Sequence, residues 1–281
     1  LAESYAMVAI AKYTKHYQRV ALAFGNDIGS QTFVGPALTS IKKAGLTLTA
    51  NVTLDLTANT FRTEAEQVVQ SHPQVILTEA LGSADATFLA EVKQLNGGVM
   101  IPVIGTSATI SPAWFSAVAG AVGASTLAQN FVADNLVTAT SGPEFTPFNN
   151  AMQAVKSQVT SLDAGSLNTL LSGPGAVHLF DGMTLAALAM IMANSTKPSV
   201  YKADILKIGD GVPGAVVVNS FAQGKAELAK GKAIRYIGPG GPTSFDSYHD
   251  SPGIFQVDGY SASGSVLVLG GITTAHYRAV Q

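Results

Sequence analysis

Apolar and polar positions alternate between two rhythms over the first half of the chain. Val20-Ala21-Leu22-Ala23-Phe24 is an unbroken apolar run, the pattern of a strand buried on both faces in a parallel sheet. Gly25-Asn26-Asp27-Ile28-Gly29-Ser30 follows as a loop of turn formers. Then Phe33, Val34, Ala37, Leu38, Ile41 and Ala44 recur at helical spacing. The same alternation repeats. Strands are predicted at Leu46–Asp55, Gln74–Thr78, Ile101–Ile104 and Ser125–Val132. Helices are predicted at residues 5–13, Phe61–Ser71, 84–95 and from Ser111-Pro112 onward, where serine caps and proline takes the first helical position. Strand–helix alternation with short connections argues an α/β fold with a doubly wound parallel sheet.

The rhythm changes after about residue 133. Ser141-Gly142-Pro143 and Ser172-Gly173-Pro174-Gly175 bound a helical stretch at 145–160. Helices are expected at Ala176–Asn194, about 199–208 and Ala222–Lys230, with a short apolar run at Ala215–Val218. Ile254–Tyr260 and Ser265–Leu269 read as a hairpin joined by Ser261-Ala262-Ser263-Gly264. The middle third thus supplies helices with almost no sheet to cover them. The most apolar run, Met183 to Ala193, is too short to span a bilayer and reads as a buried helix.

Composition narrows the function classes. Hydrophobic residues make up 47% of the 281 positions and charged residues 12%, about half the usual share. A net charge of -2 leaves no basic footprint, so nucleic acid is not an expected partner. Cysteine is absent, which excludes disulfides, thiolate metal sites and cysteine nucleophiles. Leu1-Ala2-Glu3-Ser4 does not have the form of a signal peptide, as expected of a mature or truncated form.

Motif chemistry is sparse. Gly209-Asp210-Gly211-Val212-Pro213-Gly214 matches G-x-G-x-x-G, but a helix precedes it and a strand follows, the reverse of a dinucleotide site. The five histidines are scattered without metal-ligand spacing, and the acidic turn Phe245–Asp250 is read as a turn rather than a cation seat. No G-x-S-x-G elbow marks a hydrolase. No cofactor, metal or catalytic residue is therefore assigned. Open α/β sheets place ligands at the carboxyl ends of their strands. That edge offers Asp27 and Ile28, then Thr78, Glu79 and Leu81, then Thr106 and Ser107. These hydroxyls and carboxylates suit hydrogen bonding to a small polar ligand, with Glu79 or Asp27 available for a cationic group.

Several ordered segments resemble the type I periplasmic solute-binding proteins of ABC transporters, the branched-chain amino acid and amide class. They are Arg19–Leu22 through Asn26–Gly29, Ile101–Ser107, and Phe180-Asp181-Gly182 at the start of a long apolar helix. Further on come Pro213–Val216, Ala222–Lys225, Gly231-Lys232, Tyr236–Asp246 and Phe255–Val257. The resemblance covers nearly the whole chain. It implies that residues 1–132 and 248–281 form the second-lobe α/β domain. Residues 133–247 would be a helical segment of a first lobe whose N-terminal part is missing from this chain. It further implies an extracytoplasmic protein, lipid-anchored in a full-length precursor, that captures a small-molecule ligand by lobe closure and delivers it to a membrane permease. The alternatives are a ligand-sensing domain of the same fold in a receptor or regulator, and an α/β enzyme. Family members that bind amino acids often carry an aromatic residue near Ile28 and a carboxylate near Ser107, so here either Glu79 would have to take an α-ammonium or the ligand is not an ordinary amino acid.

Overall fold

The computed structural model describes residues 2–156, 173–243, 245, 251 and 253–281. The chain divides into two compact units, Leu1–Asn135 with Phe255–Gln281, and Leu136–Ile254.

The first unit is built on a seven-stranded sheet ordered β10-β9-β5-β4-β3-β1-β2. Its strands are β1 (Arg19–Gly25), β2 (Thr47–Leu54), β3 (Val75–Glu79), β4 (Val103–Gly105), β5 (Phe131–Leu136), β9 (Phe255–Tyr260) and β10 (Val266–Ile272). β1 runs parallel to β2 and β3, and β4 parallel to β3 and β5, whereas β10 is antiparallel to β9. Helices α1 (Ala2–Ala9), α2 (Ile28–Lys43), α3 (Arg62–Gln70), α4 (Gly82–Leu95), α5 (Pro112–Val122), α6 (Ala124–Asn130) and α11 (Thr274–Val280) complete it. β1 shows why the apolar run is unbroken. Ala21 and Ala23 join a core with Phe61, Phe88, Trp114 and Phe131, while Phe24, one residue on, stacks on Phe33 of α2. Both faces of the strand are dry.

Local chemistry sets the helix starts. Asp27 caps α2, Ser111 caps α5 with Pro112 in the first turn, and Thr273 caps α11. α11 was not predicted from the sequence, because its seven residues are too few to show a period. The expected strand Ser125–Val132 is corrected: Ala124–Asn130 is helical, and the strand starts only at Phe131. Gly123, at φ 94°, ends α5 and starts α6 directly, so the chain turns a second helix before joining β4.

The second unit holds α7 (Phe145–Lys156), α8 (Pro174–Met192), α9 (Pro198–Asp210), α10 (Phe221–Ala229) and a three-stranded sheet of β6 (Val216–Val218), β7 (Ile234–Gly238) and β8 (Gly241–Pro242). The helical expectation for this region thus missed a small sheet. Its core joins Leu185, Leu188 and Ala189 of α8 to Ile208, Val218, Ile234 and Tyr236. Asp210 ends α9 and Gly211 adopts φ 76°, so the glycine-rich run is a helix stop, as its context implied. The expected helix at 145–160 is described only to Lys156. Residues 246–250 of the acidic turn lie outside the described residues.

The reading of Met183–Ala193 as a buried helix is also corrected. Gly175–Met192 is helical and, by length and composition, long and apolar enough to cross a bilayer. One stripe packs on the small sheet, whereas Leu179 and Met183 remain about two-thirds exposed, at 66% and 67%.

Candidate functional site

β1, β3 and β4 all end at one edge of the first unit's sheet, and the expected site residues lie at these strand ends and in the segments that follow them. A cleft of about 530 Å³ opens there, lined by Asp27, Ser30, Glu79, Leu81, Ser111 and Trp114 among others. Asp27, Glu79 and Leu81 therefore reach the cleft. Leu81 is 60% exposed and offers an apolar contact.

Asp27 is largely committed to its helix. Its Oδ1 accepts from the Ser30 N–H at 2.9 Å and its Oδ2 from the Ser30 hydroxyl at 2.6 Å. These hydrogen bonds, the side-chain one first, hold its pKa below the ordinary value. Ile28, 89% exposed, points away from any packing partner and does not line the cleft.

Glu79 is the most promising group. It is half-buried at the end of β3, and Thr106 Oγ1 donates to its Oε2 at 2.5 Å. Burial raises its pKa, with repulsion from Glu3 and Asp27 adding to the shift against the Thr106 hydrogen bond. None of the salt bridges among the described residues involves it. A half-buried carboxylate outside any such salt bridge has room for a donor from a ligand.

Thr78 and Thr106 are both fully buried, so neither hydroxyl is offered to a ligand. Their place in the site is corrected from contact to support. Thr78 lies 2.7 Å from the Ala23 carbonyl and 2.8 Å from Asp85 Oδ1, and Thr106 holds Glu79. The Ser107 N–H donates to Glu3 Oε1 at 3.1 Å, which ties the start of α1 to the loop after β4.

Three acidic residues were missed. Glu3 holds Ser107, Asp85 lies beneath Thr78, and Asp134 is fully buried with neither oxygen receiving a donor. Burial, then the proximity of Glu3 and Glu79, holds the Asp134 pKa well above the ordinary value, so the neutral acid suits this position. The one available signal was a carboxylate directly after the apolar run Phe131-Val132-Ala133, at the carboxyl end of a strand.

No family model matches the chain, and no curated protein does. Solved structures do. A branched-chain amino acid ABC transporter protein from Thermus thermophilus with bound valine aligns with TM-score 0.63 at 16% identity, covering 99% of this chain and 67% of that one. A leucine binding protein from Thermotoga maritima aligns at 0.62 and 14%, covering 97% and 65%. The fold is that of the type I periplasmic binding proteins. A fatty acid ABC transporter substrate-binding protein from Thermomonospora curvata shares this type I fold at 0.54 and 12%, covering 98% of this chain and 64% of its own. The chain spans about two thirds of the length of these type I structures.

Proposed function

We propose that this chain acts as an extracytoplasmic solute-binding protein for an ABC importer and not as an enzyme. The ligand is small and polar, an amino acid, amide or short carboxylate, and it is held when two lobes close. The observation that carries the reading is the cleft at the carboxyl ends of β1, β3 and β4, where Glu79 is fixed by Thr106 and takes part in no salt bridge among the described residues. The type I neighbours span amino acid and fatty acid carriers by name, so ligand class follows the residues of the edge and not the fold.

A thermal-shift panel of amino acids, amides, aromatic acids and short-chain carboxylates, run on the full-length protein, identifies the ligand. Glu79→Ala weakens calorimetric affinity about tenfold or more, the cost of losing a charged hydrogen bond. Ser107→Ala weakens it less, by removing one hydroxyl from the loop after β4 while the backbone N–H bond to Glu3 stays in place. Unchanged affinity in both variants refutes the site.

A further inference from the structure

The wall that the first unit gives to the cleft at Glu79 comes from three short segments, 27–30, 79–83 and 108–117, all within the described residues. Its charged side chains are Asp27 and Glu79, and no lysine, arginine or histidine lines it among the described residues. Glu79 is the group open to a ligand. Thr106 occupies its Oε2, whereas its Oε1 accepts no hydrogen bond among the described residues and is not closed off from solvent. Asp27 is held in its charged form by the two bonds from Ser30, so it adds a fixed negative charge more than a contact. Asp27 also repels the charge on Glu79, a repulsion that a bound cation relieves. The rest of the wall is mainly apolar: Ala80, Ala108, Ala113 and Ala117 line it, with the exposed Leu81 beside them.

The start of α4 pulls the other way. Its cap, Leu81, has no side-chain oxygen to give, so the first N–H groups of the helix favour an anion. That helix end is worth about half an elementary charge. Asp27 and Glu79 each bring a whole charge of the opposite sign, so the balance on this wall is negative. A carboxylate that enters here meets two like charges, an arrangement that selects against it. An ammonium group meets an open carboxylate oxygen, the stronger kind of hydrogen bond.

We propose that the cleft takes primary alkyl amines that carry no carboxylate, a class beyond the amino acids, amides and short carboxylates named above. The ammonium group sits on Glu79 Oε1 and the hydrocarbon lies along Leu81 and the alanines. This inference rests on the reading of the cleft as the solute site.

Three probes with similar branched hydrocarbon bodies test it: isoamylamine, leucine and isovalerate. Leucine is the amine with a carboxylate added beside the nitrogen, and isovalerate has a carboxylate and no amine. Calorimetric titration into the whole chain is expected to show isoamylamine bound at least as tightly as leucine, and isovalerate about tenfold weaker or more. Glu79→Gln keeps an acceptor for Thr106 but no charge, and is expected to weaken isoamylamine about tenfold or more. Ala113→Phe, at an exposed position of α5, narrows the cleft and is expected to weaken it too. Leucine or isovalerate bound more tightly than isoamylamine overturns the proposal on the unaltered protein alone, even where a variant fails to fold. Absence of saturable amine binding overturns it as well, as does undiminished amine binding in either folded variant. The reading of the cleft is judged separately: it survives a tighter leucine that Ala113→Phe displaces, and it falls when a ligand from the thermal-shift panel is indifferent to Glu79→Ala and Ser107→Ala.

Discussion

Asp85 and Thr78 present a proton-counting problem. Thr78 Oγ1 lies 2.7 Å from the Ala23 carbonyl and 2.8 Å from Asp85 Oδ1, yet the hydroxyl has one hydrogen to give. A protonated Asp85 solves it: the acid donates to Thr78, Thr78 donates to Ala23, and the Trp114 Nε1–H donates to Asp85 Oδ2 at 2.8 Å. Burial pushes the Asp85 pKa up to about 7, against the donors that favour its charged form. For an acid whose folded pKa lies above the unfolded one, the folded chain holds the extra proton. Stability from this group is full below about pH 4 and falls as pH rises toward 7, by at most about 1.4 kcal/mol per pH unit. Asp85→Asn keeps a donor for Thr78 and an acceptor for Trp114 but cannot ionise. Urea unfolding at pH 5 and pH 8 is expected to show a smaller loss of stability in Asp85→Asn than in the unaltered chain, and an equal loss contradicts the protonated assignment. Asp27, Glu79 and Leu81 line the cleft as placed from the sequence, because the carboxyl ends of neighbouring parallel strands open on one edge. Thr78 was not, because whether a residue at a strand end points outward or beneath depends on its neighbours. Asp85, Glu3 and Asp134 were illegible for a related reason. The Glu3–Ser107 contact joins residues 104 positions apart, and no local pattern encodes it.

The loop after β4 depends on a glycine. A Cβ on Gly105 would overlap the Thr109 side chain, its Oγ1 above all. Thr109 cannot easily yield, since its hydroxyl donates to the Thr106 carbonyl at 2.6 Å and its own carbonyl accepts from the Tyr260 hydroxyl at 2.7 Å. Gly105→Ala is expected to cost about 1–3 kcal/mol, the usual range for overpacking. Gly120, on the exposed side of α5 with nothing near its Cβ position, is the control. Gly120→Ala is expected to stabilise by about 0.5–1 kcal/mol through helix propensity. Chemical denaturation of both variants checks the pair, and equal midpoints contradict it. Elements were read well where apolar runs were continuous, as in β1 and β3, because burial on both faces leaves no alternative period. β7 escaped because Ile234, Tyr236 and Gly238 alternate with half-buried residues in a run of only five. β10 misleads differently: Val266, Leu267, Val268 and Leu269 look like core, yet all are exposed at the sheet's edge, where β10 pairs with β9 alone.

At the scale of the molecule, fold class followed from alternating strands and helices, because only a parallel sheet with crossover helices accommodates that order. The division into two units did not follow from periodicity. The first unit is completed by Phe255–Gln281, more than a hundred residues after Asn135, and only the ordered motifs of the family resemblance pointed to such a return. Each unit has its own core, and the single tryptophan makes them separable in an experiment. Trp114 lies in the core of the first unit, stacked near Phe131 and Tyr260, so its fluorescence reports that unit. In the second unit, Gly224 of α10 packs so closely on α8 that a Cβ would stand 2.6 Å from Leu188 Cδ2 and 3.3 Å from Ile234 Cδ1. Gly224→Val crowds that core and is expected to cost about 1–3 kcal/mol there. Far-UV circular dichroism should then show an earlier loss of helix on heating, while the Trp114 fluorescence midpoint stays where it was. If the fluorescence midpoint falls by the same amount, the two cores unfold as one cooperative body, and a stability measured for either belongs to both.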